Sequence, residues 1–269
     1  MREIPEYETI RFTVSGGIGR LVMDRPYVHN AFNADMVSDM LHLMRIIRDL
    51  GPELRIMVLT GEGGSFCAGA DINWLAQIKD QTYEENIRES LEMSDLMYAI
   101  YSLPMITIAR VNGAVIGCGV GFLAACDLAI ASKKAKFSVN DVKLGLTAAV
   151  AMPYLFRKVG ESYARELLLT GEAISAERAL AIGLVHEVIE PGELDKAVNI
   201  LAKKLMTSGP DAIKVTKKLA ETVPVMTFSE ARAYTAEILG KQRIGSEGQE
   251  GMRSFIEKRK PSWYPLDGD

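Results

Sequence analysis

RIMVLTGEGGSFCAGAD at residues 55–71 and MITIARVNGAVIGCGVGFLAACDLAIAS at residues 105–132 follow one plan: an apolar run, a glycine-rich loop, then a helix. Each apolar run is short, continuous and β-branched, as a strand buried on both faces would be. Upstream, IRFTV (10–14) and IGRLVMD (18–24) flank Ser15-Gly16-Gly17 and read as a hairpin. Asn33 opens a helical pattern with Met36, Met40, Leu43, Ile46 and Ile47 on one face, and Gly51-Pro52 ends it. A long helical stretch runs from about Trp74 to Leu103. Strands alternating with long helices define an α/β fold. After Gly160, ESYARELLLTG and SAERALAIGL read as helices and LVHEVI as a last short strand. From Glu193 onward the pattern is helical, punctuated by Pro210, Pro224, Gly245 and Gly248, with too few apolar positions for a core of its own. Such helices pack on the body or on a neighbouring subunit.

The 269 residues, 48% of them hydrophobic, supply ample core for one large domain with an appendage. Cys67, Cys118 and Cys126 are odd in number and lack CxxC spacing, and the N-terminus has no secretory pattern. A reducing, cytoplasmic setting is therefore expected. The longest apolar runs, such as that from Leu123 to Ala131, are too short to span a bilayer, so no membrane partner is expected. With a net charge of -4 and a pI near 5.6, the surface does not attract a polyanion, which argues against nucleic acid. Locally, Lys258-Arg259-Lys260 suits a phosphorylated ligand as well as it suits a solvated helix end.

Few side chains offer catalysis. His29, His42 and His186 are the only histidines, and none neighbours a GxSxG elbow. No HExxH or other metal spacing occurs, so no metal is expected. Gly117-Cys118-Gly119-Val120-Gly121 starts like a dinucleotide fingerprint, but Phe122 stands where its last glycine belongs. Close helix packing explains a glycine run equally well. Two such loops, each after a strand and before a helix, suggest something more specific. Backbone N–H groups at helix starts are free donors at the positive end of a dipole, and two that converge can hold an oxyanion without any side chain.

SFCAGADI, VNGAVIGCGVG…ACDLAIAS and AKFSVNDVKLGL together resemble the crotonase (enoyl-CoA hydratase/isomerase) family in order and spacing. MDRPYVHNAFN, LTGEAISAERALAIGLVHEVI and EGMRSFIEKRKPSW extend the resemblance over nearly the whole chain. It implies a spiral of repeated ββα units over residues 1–200 and a C-terminal helical oligomerisation region over 201–269, giving a homotrimer or a dimer of trimers. It also implies an acyl-coenzyme A thioester as substrate, with coenzyme A part of that substrate and no separate cofactor. The amides of Ala70 and Cys118 fall on the family's oxyanion-hole positions, within a substrate-binding set of Ala68, Gly69, Asp71, Ile72, Gly117 and Gly121. Cysteine replaces the usual glycine at 118. A backbone donor tolerates that change if the conformation permits, and the thiol reads as a small packed hydrophobe. Phe255 and Lys258 correspond to residues that meet the nucleotide end, commonly from an adjacent subunit, where an ammonium suits the 3′-phosphate.

The best-known family hydratases use two glutamates. Here the first position falls on Gly121 and the second on Asp141, which is thereby the candidate acid/base; from position alone it could equally be a cap or turn aspartate. Aspartate reaches roughly 1 Å less than glutamate, enough to cost about a hundredfold unless the pocket compensates. The wording around the second loop and the C-terminus resembles that of bacterial hydratases of branched, carboxylated esters such as methylglutaconyl-CoA and isohexenylglutaconyl-CoA. Hydration is the expected reaction. A Δ3,Δ2-enoyl-CoA isomerase with one carboxylate is the alternative, with decarboxylation or a catalytically weak acyl-CoA-binding protein further behind.

Overall fold

Residues 4–265 are described by the structure, a computed structural model. β1 (Ile10–Ser15) and β2 (Ile18–Met23) form the expected antiparallel hairpin. Asn33 accepts the Met36 amide at 3.1 Å and so caps α1 (Ala34–Arg48). Three strand pairs follow: β3 (Ile56–Gly61) with β4 (Ser65–Cys67), then α2 (Ile72–Ile78) and α3 (Tyr83–Tyr101); β5 (Ile106–Val111) with β6 (Ala114–Ile116), then α4 (Gly119–Ala125); and β7 (Leu128–Ser132) with β8 (Lys136–Ser138), then α5 (Met152–Thr170). Next come β9 (Ile174–Ser175), α6 (Ala176–Ala181), β10 (Glu187–Ile189), α7 (Leu194–Leu205), α8 (Pro210–Thr222), α9 (Phe228–Ile244) and α10 (Ser246–Ile256).

Within each pair the strands go to different sheets. The first strands join a six-stranded sheet ordered β1-β2-β3-β5-β7-β10, parallel from β2 onward; the second strands make a four-stranded sheet ordered β4-β6-β8-β9. Repetition of that step is the ββα spiral. All six residues of β3 are buried, as a central parallel strand requires, whereas edge strand β1 alternates. Phe66, Phe122 and Phe137 lie in the same core as the facing apolar sides of α1 and α3. On the other face of the large sheet, Leu194, Val198 and Ala202 of α7 cover Ile56, Val58, Ile106 and Ile130.

Several local expectations change. The helix expected from Trp74 to Leu103 is two helices, because Thr82 and Glu85 form a reciprocal capping box that starts α3 anew. α5 begins at Met152, before Gly160, which interrupts it with φ 74° and ψ 168°. β4, β6, β8 and β9, two or three residues each, are too short to show alternation and were read within loops or passed over. Residue 200, the expected end of the core region, lies inside α7, which packs on the sheet. α9 and α10 present exposed apolar side chains, among them Phe228, Ile244, Phe255 and Ile256.

Candidate active site

A parallel bridge joins Phe32 to Ala70: the Phe32 amide donates to Gly69 O (2.8 Å) and the Asp71 amide to Phe32 O (2.9 Å). Bonds to both neighbours of Ala70 turn its own N–H to the opposite side of the chain, away from Phe32. Asp71 anchors the loop's end. One carboxylate oxygen caps α2 through the Asn73 amide (2.8 Å), and the other pairs with buried Arg25 at 2.8 Å. At the loop's other end the side-chain amides of Asn30 and Asn112 both donate to Ser65 O, at 2.8 and 3.0 Å.

The second loop lies directly against the first. A Cβ built on Gly69 would stand 3.0 Å from Ile116 O, and Gly69 has φ +85°, so both space and backbone demand glycine. Gly117 (φ +54°) donates its amide to Ser138 O at 2.7 Å, tying this loop to β8. Cys118 then N-caps α4 at φ −60° and ψ −14°, an ordinary right-handed conformation. The backbone thus accepts cysteine without strain. Among the described residues, neither the Ala70 nor the Cys118 amide donates to a protein acceptor. Burial, with help from nearby Asp141 and Cys67, pushes the Cys118 thiol up to about 12. It stays protonated and unreactive at neutral pH.

Both loops line a cavity of about 970 Å³, as do Asp141, apolar residues of α2 and one face of α3. Asp141 sits on a 3-10 turn (Asn140–Leu144) closed by Gly145. Its Oδ2 is buried without a hydrogen-bond partner, and burial raises its pKa above the ordinary aspartate value. A carboxylate oxygen without a partner, on the same cavity wall as two amides without acceptors, can in chemical terms move a proton next to a developing oxyanion.

The other sequence-selected residues divide. Ala68, Gly69, Ala70, Ile72, Gly117, Cys118 and Asp141 line the cavity, whereas Asp71 lies behind it in the Arg25 pair. Gly121 is buried and outside the lining. A Cβ there would meet Met97 Cε at 2.6 Å and Ala151 Cβ at 2.8 Å, so the space of the absent glutamate is filled by neighbours. Phe255 and Lys258 lie at the end of α10, away from the cavity of their own chain. Arg259 pairs with Glu250 and Glu257, and Lys260 stands 4.6 Å from the Tyr264 ring centroid; Lys258 forms no ion pair among the described residues. His186 Nδ1 accepts the Ala129 amide at 3.1 Å, a structural role.

Sequence reasoning missed the polar face of α3: Asn86, Glu89 and Ser90 line the cavity together with Met93. Positions 86, 89, 90 and 93 have the spacing of one helix face, but three polar residues there read in sequence as a solvated face. Among the described residues no His, Cys, Asp and Glu side chains cluster as a metal site would, and no helix is long and apolar enough to cross a membrane.

An α/β spiral with two glycine loops and an acid over one cavity is the architecture of the crotonase fold, and the comparisons agree. The model of the enoyl-CoA hydratase/isomerase family matches residues 13–265. A short-chain-enoyl-CoA hydratase of Clostridium acetobutylicum is 31% identical over 257 residues, 95% of this chain and 97% of that protein. An (E)-benzylidenesuccinyl-CoA hydratase of Thauera aromatica is 30% identical, over 94% and 98%. The crystal structure of an enoyl-CoA hydratase from Shewanella pealeana superposes with a TM-score of 0.92 at 32% identity, covering 96% of this chain and 97% of that one. The chain belongs to the enoyl-CoA hydratase/isomerase family and is an enzyme of that family.

Proposed function

We propose that this protein adds water across the α,β double bond of an enoyl-CoA thioester. One observation carries the reading: Gly69 packed against Ile116 brings the unengaged amides of Ala70 and Cys118 to the wall that holds Asp141. The thioester oxygen accepts both amides. As water oxygen bonds to C3, the C2=C3 electron pair moves onto the thioester and the amides stabilise the enolate; removing one such donor costs roughly a hundredfold to a thousandfold. Asp141, as carboxylate, takes a proton from the attacking water and returns it to C2, so the net change is one water gained. Burial raises its pKa, which makes it a stronger base than an exposed aspartate.

A second reading has its own support. With Met97 and Ala151 filling the space beside Gly121, no second carboxylate joins Asp141 from α4. One carboxylate suffices for an isomerase, which removes a C2 proton from a 3-enoyl ester and returns it at C4. The hydratase names of relatives support hydration as the first reading.

A homotrimer, or a dimer of trimers, is proposed on the exposed apolar side chains of α9 and α10. In it Phe255 and Lys258 of an adjacent copy meet the nucleotide end of coenzyme A. Incubation with crotonyl-CoA, 3-methylglutaconyl-CoA and a 3-enoyl-CoA, read by mass, tests the reaction. Gain of one water marks a hydratase, conversion without mass change an isomerase. If every ester neither reacts nor binds, the acyl-CoA reading fails.

A further inference from the structure

Every ionisable side chain on the cavity wall among the described residues is an acid: Asp141, Glu89 and the Cys118 thiol. No lysine, arginine or histidine lines it. Glu89 is held in place, its Oε1 accepting the Gln81 side-chain amide at 2.7 Å. Asn86 and Ser90, three residues before it and one after, share its face of α3. Further along that helix, Met97 marks the inner end by packing on Gly121, beside the glycine loop that carries Cys118. Glu89 precedes Met97 by eight residues, roughly 12 Å of helix rise, so it stands at the outer part of the wall.

We infer that Glu89, positioned by Gln81 and flanked by Asn86 and Ser90, sets acyl-chain specificity by admitting chains with a distal hydroxyl and rejecting chains with a distal carboxylate. The inference rests on the acyl-CoA reading above and departs from the carboxylated ester suggested by sequence wording. A distal carboxylate would enter a cavity of like charge with no counter-ion, and like charges are costly where water is scarce. A hydroxyl donates to Glu89 and accepts from Asn86, replacing the hydrogen bonds it loses to water. In the proposed reaction Asp141 is engaged at the reacting end, and Glu89 acts on the chain.

The test uses three matched esters: oct-2-enoyl-CoA, 8-hydroxyoct-2-enoyl-CoA and 7-carboxyhept-2-enoyl-CoA. Hydration kcat/KM is measured for the protein and for Glu89→Gln, with oct-2-enoyl-CoA as the reference ester. We expect the hydroxy ester to exceed the carboxy ester by at least about tenfold in the natural protein. Glu89→Gln should raise the carboxy ester about tenfold relative to the unsubstituted octenoyl ester. Calorimetric Kd values for the saturated analogues give the same ratios without turnover, so loss of hydration alone would sink the reaction and leave the specificity tested. Equal handling of the hydroxy and carboxy esters, unchanged by Glu89→Gln, would overturn the inference.

Discussion

Asp141 stands over Gly117: a Cβ placed on that glycine would lie 3.4 Å from Asp141 Oδ2. The acid is thereby set one residue from the amide of Cys118, where a methyl on Gly117 would make only ordinary van der Waals contact with it. The backbone is the constraint: Gly117→Ala would strain a chain at φ +54°. Loss of activity, read mainly in kcat, is expected, with near-normal secondary structure by circular dichroism.

Asp141→Asn separates catalysis from stability. Removing the proton carrier should lower kcat about a hundredfold to ten-thousandfold. Stability moves the other way. Burial raises the Asp141 pKa in the folded state, so the folded protein binds more protons than the unfolded one between the ordinary and the raised value. Stability contributed by this group is complete below the ordinary value and declines as pH rises through the folded one. The asparagine variant should therefore melt at least as high as the natural protein at pH 7, and any gain should shrink on acidification. A lower melting temperature at pH 7 would show that the carboxylate is structurally needed.

Cys118 should be dispensable as a side chain. In the proposed mechanism its amide is the functional group, and its backbone is unstrained, so Cys118→Ala should keep kcat/KM within about threefold. With the thiol pushed up to about 12, the thiolate fraction at pH 8 is on the order of one in ten thousand. Iodoacetamide should label Cys118 far more slowly in the folded protein than in urea, as peptide mass mapping would detect.

The hairpin, the central strands and both glycine loops were legible because each has a strong local cause: β-branched runs, paired glycines, a capping asparagine. The short strands of the four-stranded sheet were not, since β6 and β8 owe their existence to pairing with one another and not to their own pattern. The break at Thr82 was written in Thr82-Tyr83-Glu84-Glu85 and was overlooked within a longer helical periodicity. Asp141, Ala70 and Cys118 came from motif position. Glu89 did not, because a polar residue on a helix facing an unseen cavity looks the same in sequence as one facing water.

Gly121 is held small by its neighbours. A methyl there would sit 2.6 Å from Met97 Cε and 2.8 Å from Ala151 Cβ, the first flexible and the second fixed. Gly121→Ala should destabilise by about 1–3 kcal/mol in urea unfolding. Adding Met97→Ala should recover part of that loss, a favourable coupling in the double-mutant cycle. Strict additivity would show that the two side chains do not compete for one space.

The Arg25–Asp71 pair tests whether the first loop is held from behind. Both side chains are nearly buried, at 11% and 6% exposure, and Arg25 also donates to Ala31 O at 2.6 Å. Asp71→Asn keeps an oxygen to cap α2 but leaves the guanidinium without its counter-charge. Breaking such a pair costs about 3–5 kcal/mol, far more than an exposed pair. Asp71 follows Ala70 directly, and its amide donates to Phe32 O in the bridge that orients the Ala70 amide. The variant should consequently lose kcat as well as stability, with KM little changed, since a misaimed donor weakens the enolate more than the bound ester. A drop in melting temperature with kcat intact at low temperature would place the pair in stability alone and free the Ala70 amide from its influence.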